Sequence, residues 1–269
     1  MLKFHPSEGH NIWTVATLFF MMIDTETREL LLRLAERYET PQFIHGDPSW
    51  WMHQVEGPLN QEATAFVASV LSYGSRQQFM PKIGHLLDLA GGDMDRWLRS
   101  GAYAEAFAEG DTACFYRLYS RGTMRSFFDA YSRLMHEYGS LGGYVGATDG
   151  LGAVEAICNW FSAHGVSVVV PKDATSACKR VCMFLRWMVR SGSPVDLGLW
   201  SQRIDRRTLI MPLDTHVVSE AMKLGLLSSR CASMSAARRL TAALAEVFPD
   251  DPLRGDFALF GYGVDKLTH

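Results

Sequence analysis

Apolar positions recur along this chain every three to four residues almost throughout, the spacing of amphipathic helices. Residues 25–38 put Leu30, Leu31, Leu34 and Ala35 on one face and stop at Thr40-Pro41. Residues 60–73 predict a second helix, with Asn60 as its cap and Gly74 as its stop. Further helices are predicted over 81–89, 111–118, 123–138, 151–165, 217–226 and 233–248, with a short element opened by Gly91-Gly92-Asp93. The stretch 41–58, rich in Pro, Gly, His and Trp, reads as a loop. Residues 167–170 are the one β-like run, and four residues do not make a sheet. The tail, 250–263, reads as a packing segment around Phe257. The expected class is therefore all-α. A glycine-rich stretch, 139–152, is the natural hinge between two helical lobes, 1–150 and 151–269, facing a central cleft. One intertwined two-lobed domain is the alternative.

Most of the chemistry gathers in 170–216. A polar turn, with Asp173, Thr175 or Ser176 as cap, opens a helix that carries Lys179 near its start and runs to Arg190. The positive end of that helix, with Lys172 and Arg180 beside it, disfavours a second positive charge, the setting of a nucleophilic amine. A second start signal, Pro212-Leu213-Asp214-Thr215-His216, places a carboxylate where the next helix offers its free amides. Spacing alone leaves Lys179 as a solvated surface charge and Asp214 as a simple cap. It does not bring the two together.

Composition narrows the setting. Hydrophobic residues make up 48% of the 269, enough for a large core. The net charge of −3 hides an asymmetry. Residues 171–239 hold 12 Lys and Arg against 5 Asp and Glu, leaving 14 and 24 for the rest. Such a basic third suits an anionic partner. The five cysteines, at 114, 158, 178, 182 and 231, have no paired spacing and lack the tight run an iron–sulfur cluster needs. Scattered thiols suit a reducing compartment, and the expectation is a soluble cytoplasmic protein without a cofactor. The apolar run 11–23 is too short to span a bilayer and lacks a signal-peptide pattern. It reads as a core-packed segment, or as an extension upstream of a start at Met21 or Met22. His45, Asp47 and His53 are metal-donor types, but their spacing fits no metal motif. Phe184, Leu185, Trp187 and Met188 read as core, and Arg186 among them needs a partner, for which Asp196 is the candidate.

Several ordered motifs carry a resemblance. FIHGDPSWWMHQ, EATAFVASVLSYGSRQ, FYRLYSRG, MFLRWMVRSGSPVDLGLW, MPLDTH, KLGLL and DFALFGYGV together resemble the uncharacterised bacterial family called domain of unknown function 2400. More distantly, CKRVCMFL followed by PLDTHV is similar to the hairpin region of helix-hairpin-helix DNA glycosylases. That resemblance implies base excision from double-stranded DNA, an N-glycosylase with lyase activity in DNA repair. Lys179 falls on the Schiff-base lysine and Asp214 on the catalytic aspartate, with His216 a secondary candidate. Ser72 to Arg76 fall where those enzymes face DNA, and Lys172, Arg180, Arg203, Arg206 and Arg207 are candidate backbone contacts. The hairpin here, 170–177, has no glycine, so a phosphate grip would fall to the helix start and Lys172. The 35 positions from Lys179 to Asp214 are most similar to the archaeal 8-oxoguanine glycosylases. Two other readings stand beside this one: a non-catalytic DNA-binding module, and a helical domain whose basic third binds an acidic protein.

Overall fold

The computed structural model describes residues 23–266. Of the apolar run 11–23, all but Ile23 lies outside the described residues. The described chain is all-α apart from one small hairpin. Helix α1 (Thr25–Tyr38) starts where Asp24 accepts from the Thr27 amide at 2.8 Å, and it buries Leu31, Leu34 and Ala35. Helix α2 (Pro58–Leu71) is buried on nearly every face from Glu62 onward, which makes it the central helix. Its first turn is set by Gly57 at φ +86° and by Pro58. Asn60 therefore lies inside the helix, and its side chain bonds the Gly92 carbonyl and the Met94 amide instead of capping.

Helix α3 (Arg76–Leu89) begins five residues earlier than expected and takes Pro81 into its second turn. Helices α4 (Met94–Ser100), capped by Asp93, and α5 (Tyr103–Ala106) follow. The helix expected over 111–118 is absent. In its place β1 (Cys114–Tyr116) pairs antiparallel with β2 (Tyr119–Ser120), and Arg117 turns the chain at φ +50°. Phe115 and Tyr116 are buried in this extended form, against Phe107 and Tyr73. Period-3.6 spacing in so short a stretch lost to that burial. Helix α6 (Arg121–Tyr138) starts on a Ser120 cap.

The glycine-rich stretch holds a short helix, α7 (Leu141–Val145), and the start of α8 (Gly150–Ala163). Residues 167–170 form a turn rather than a strand, with the Val169 amide donating to the Val166 carbonyl. Helix α9 (Lys179–Val189) starts later than expected. Asp173 caps only the local turn through Thr175, the chain stays irregular to Cys178, and Lys179 is the first helical residue. Helices α10 (Thr215–Lys223), α11 (Met234–Val247) and α12 (Arg254–Asp265) complete the fold, so the tail is helical.

A continuous core joins the first and second halves of the chain. Phe66 of α2 sits 5.2 Å from Tyr131 of α6, 5.2 Å from Phe161 of α8 and 5.0 Å from Phe184 of α9, centroid to centroid. Helix α9 thus packs on the central helix, while α12 lies against α1 and α10. Phe184, Leu185, Trp187 and Met188 are core residues, as expected. The starts of α9 and α10 and one side of α12 line a common cleft.

Candidate active site

Lys179 is the first residue of α9 and Asp214 is the residue before α10. Asp214 Oδ1 accepts from the Val217 amide at 2.8 Å, the ordinary capping bond. Its other oxygen, Oδ2, lies 3.2 Å from Lys179 Nζ. Each side chain keeps 34% of its surface exposed, so the pair is open to solvent and not sealed in hydrocarbon. Capping leaves one carboxylate oxygen free, and that oxygen meets the amine.

The pair lines a cleft of about 350 Å³. Phe43, Met183, Val217 and Phe260 supply apolar wall, and Arg76, Asp47, His216, Arg186 and Asp256 supply polar wall. Elements from both halves of the chain therefore build it. Asp47 bonds the Ser49 amide and hydroxyl and stands 3.5 Å from Arg76. Gly263 gives the His216 ring its place: a Cβ there would come within 2.5 Å of His216 Nε2.

Beneath the cleft runs a buried charge network. Arg186 pairs with Asp256 on the cleft side and with Asp196 at 3.2 Å on the inner side. Asp196 also pairs with Arg190, which holds Asp251 at 2.8 Å and Glu39 at 2.6 Å. Burial raises the Asp256 carboxyl above the ordinary range, Arg186 opposes it, and the nearby Asp214 charge raises it further. Burial works to lower Arg186, but Asp196 and Asp256 overcome it, so its proton is held more tightly than usual.

A family model described as a protein of unknown function, DUF2400, matches residues 47–265. The chain belongs to the DUF2400 family. The matched span includes every cleft residue named above except Phe43. No curated protein and no solved structure matches this DUF2400 chain. Among its described residues no helix is long and apolar enough to cross a membrane.

The remaining candidates of this DUF2400 protein divide by place. Arg76 lines the cleft, with 53% of its side chain exposed, and Lys172 is exposed on the turn before α9. Ser72 is buried, and its hydroxyl donates to the Ala68 carbonyl at 2.7 Å, so it presents nothing outward. Arg180 is spent internally. Its guanidinium donates to the Val70 carbonyl at 2.6 Å and to the Tyr119 hydroxyl, and it stacks on Tyr73. Arg203, Arg206 and Arg207 line a separate groove with Asp205 and Asp250. Arg206 donates to the Asp250 carbonyl at 2.9 Å, and Arg207 chelates Asp205. None of the three lines the Lys179 cleft.

Trp51 packs on Gly84 and Phe43 on Phe257 and Phe260, so the aromatic loop is pinned to the body. His53 bonds the Val195 carbonyl at 2.8 Å. Asp256 is the cleft residue that sequence reasoning left without a role. Its one signal was an acid inside the apolar GDFALFGYG run, the mirror image of Arg186 inside its own apolar run.

Proposed function

We propose that the cleft is the active site of a DNA repair enzyme, an N-glycosylase with lyase activity acting on a damaged base flipped out of duplex DNA. What carries the reading is the 3.2 Å approach of Lys179 Nζ to the free oxygen of Asp214 in a cleft open to solvent. An amine and a carboxylate 35 positions apart, each at a helix start, form the pair such chemistry needs. A volume of about 350 Å³ suits a flipped base, whose extrusion costs a few kcal/mol.

In this scheme Lys179 gives up a proton to solvent and its nitrogen attacks the sugar C1′. The C1′–N bond breaks, and its electron pair leaves with the base, which takes up a proton. Asp214 faces the positive charge that develops on the sugar. The lysine nitrogen then sheds its proton and the C1′–O4′ bond opens, its electron pair leaving as the 4′ hydroxyl. The resulting imine on Lys179 permits loss of a C2′ proton and elimination of the 3′ phosphate. Arg76, which lines the cleft, and Lys172, exposed on the turn before α9, are cations that phosphates could meet. The same reading puts the protein in the cytoplasm with its DNA, where five free thiols stay reduced.

Borohydride trapping tests it. Wild type is mixed with duplexes carrying an abasic site or an oxidised, deaminated or alkylated base. A covalent adduct is expected on at least one of them, lost in Lys179→Gln and slowed in Asp214→Asn, with both variants folded by circular dichroism. Absence of any adduct with the wild type ends the lyase reading. Duplex binding without adduct or base release would select the non-catalytic DNA-binding module, and no binding at low salt would select the protein-interaction domain.

A further inference from the structure

Three of the five cysteines converge beside Lys179. Cys158 on α8, Cys178 just before α9 and Cys182 one turn into α9 are all buried. The Cys158 and Cys178 sulfurs lie 4.0 Å apart, in direct contact. Cys178 holds φ +45°, a backbone region that side chains other than Asn, Asp and His seldom adopt. It is fastened there by its thiol, which donates to the Asp173 carbonyl at 3.3 Å and meets the Ser176 hydroxyl at 3.5 Å.

The two thiols are electrostatically unequal. The Cys158 hydrogen bond brings the Cys178 thiol down to about 7, against burial, with help from Ser176 and Arg180. The same bond and burial push Cys158 well up. Cys178 is thus the more easily ionised of the two, by giving up the proton it donates to the Asp173 carbonyl, and Cys158 keeps its own. Burial pushes Cys182 up as well, which leaves it the inert member. Cys178 ends the turn 171–178, where Lys172, Asp173, Thr175 and Ser176 are exposed, and is itself 3% exposed.

We propose that Cys158 and Cys178 are an oxidisable dithiol, which hydrogen peroxide converts to a disulfide that repositions Lys179. The Cys178 thiolate attacks a peroxide oxygen, the O–O bond breaks, and hydroxide leaves a sulfenic acid behind. The Cys158 sulfur then attacks that sulfur and displaces the second oxygen as hydroxide. With the two thiol protons, the products are one disulfide and two waters. Both sulfurs are oxidised and the peroxide is reduced, and a dithiol reverses the step. Bonded sulfurs stand about 2.05 Å apart, so about 2 Å of approach is needed. Cys178 directly precedes Lys179, so closing that gap moves the first turn of α9 relative to Asp214. The inference does not depend on the DNA reading, because it concerns sulfur chemistry alone.

The experiment uses the full chain with Cys114→Ser and Cys231→Ser, which removes the exposed thiols. It is treated with hydrogen peroxide, alkylated, digested and mapped by mass spectrometry. The expected result is a Cys158–Cys178 linked peptide, alkylated Cys182, loss of two titratable thiols and full reversal by dithiothreitol. Cys158→Ser in that background gives no link, with its fold checked by circular dichroism. A Cys178–Cys182 link overturns the proposal. So does alkylation of both Cys158 and Cys178 after a dose that oxidises Cys114 in wild type. Labelling of Lys179 by an amine reagent, compared between oxidised and reduced protein, should shift. Equal labelling in the presence of the disulfide overturns the repositioning of Lys179.

Discussion

Asp196→Ala tests whether the floor of the cleft rests on buried charge. The Asp196 side chain has no exposed surface, and its two guanidinium partners, Arg186 and Arg190, expose 4% and 2% of theirs. Burial raises the Asp196 carboxyl, and the two guanidiniums pull against that. Breaking a buried pair by removing one partner costs about 3–5 kcal/mol, because an uncompensated charge remains. Arg190 keeps Asp251 and Glu39, and Arg186 keeps Asp256, which places the loss at the lower end, about 3 kcal/mol. At roughly 2–4 °C per kcal/mol for a chain of about this size, the melting temperature should fall by roughly 6–12 °C. The assay is paired urea and thermal unfolding by circular dichroism. Arg207→Ala, which breaks an ion pair on the surface, is the control and should leave the midpoint in place. An Asp196→Ala midpoint within about 1 kcal/mol of wild type would refute the reasoning, since that is the worth of an exposed pair.

Three further outcomes follow from single contacts. Asp214→Ala removes the Val217 cap and should cost about 1 kcal/mol in urea unfolding, whereas Asp214→Asn keeps an acceptor and costs less. Gly142→Ala would place a Cβ 2.5 Å from Trp200 Nε1, and Trp200 is held by Glu62 at 2.8 Å, so about 1–3 kcal/mol should be lost. Glu62 gives a pH dependence. Burial raises its carboxyl, although Trp200, Leu141, Gly142 and Arg203 oppose the rise. The folded state then binds this proton more tightly than the unfolded chain. The Glu62 contribution is fully present below the ordinary glutamate value of about 4.3 and is lost as pH rises through the raised folded value. The urea midpoint of Glu62→Gln should therefore gain on wild type as pH climbs through that window. A difference that stays flat would show that the carboxyl titrates alike in both states.

How much was legible beforehand depends on the range of the cause. The all-α class and the helices α1, α2, α6, α8, α10 and α11 follow from apolar spacing and from local caps such as Asp214, which act within one or two turns. Lys179 and Asp214 stood out for the same local reason, each beside a helix start. That they meet was invisible, because it depends on α9 and α10 both packing into one core across 35 positions. The same distance hid the fate of the arginines. Arg180 looked free along the chain and is spent on Val70 and Tyr119, residues 110 and 61 positions away. Arg203, Arg206 and Arg207 read as candidate backbone contacts for a nucleic acid at Lys179 and open onto another groove. The 111–118 stretch has helical spacing and became a hairpin, since Phe115 and Tyr116 bury better extended against Phe107 and Tyr73. Sequence by itself determined what can be decided by neighbours a turn apart. Only the tertiary structure decided which charges face each other, because that is set by burial, and burial belongs to the whole chain.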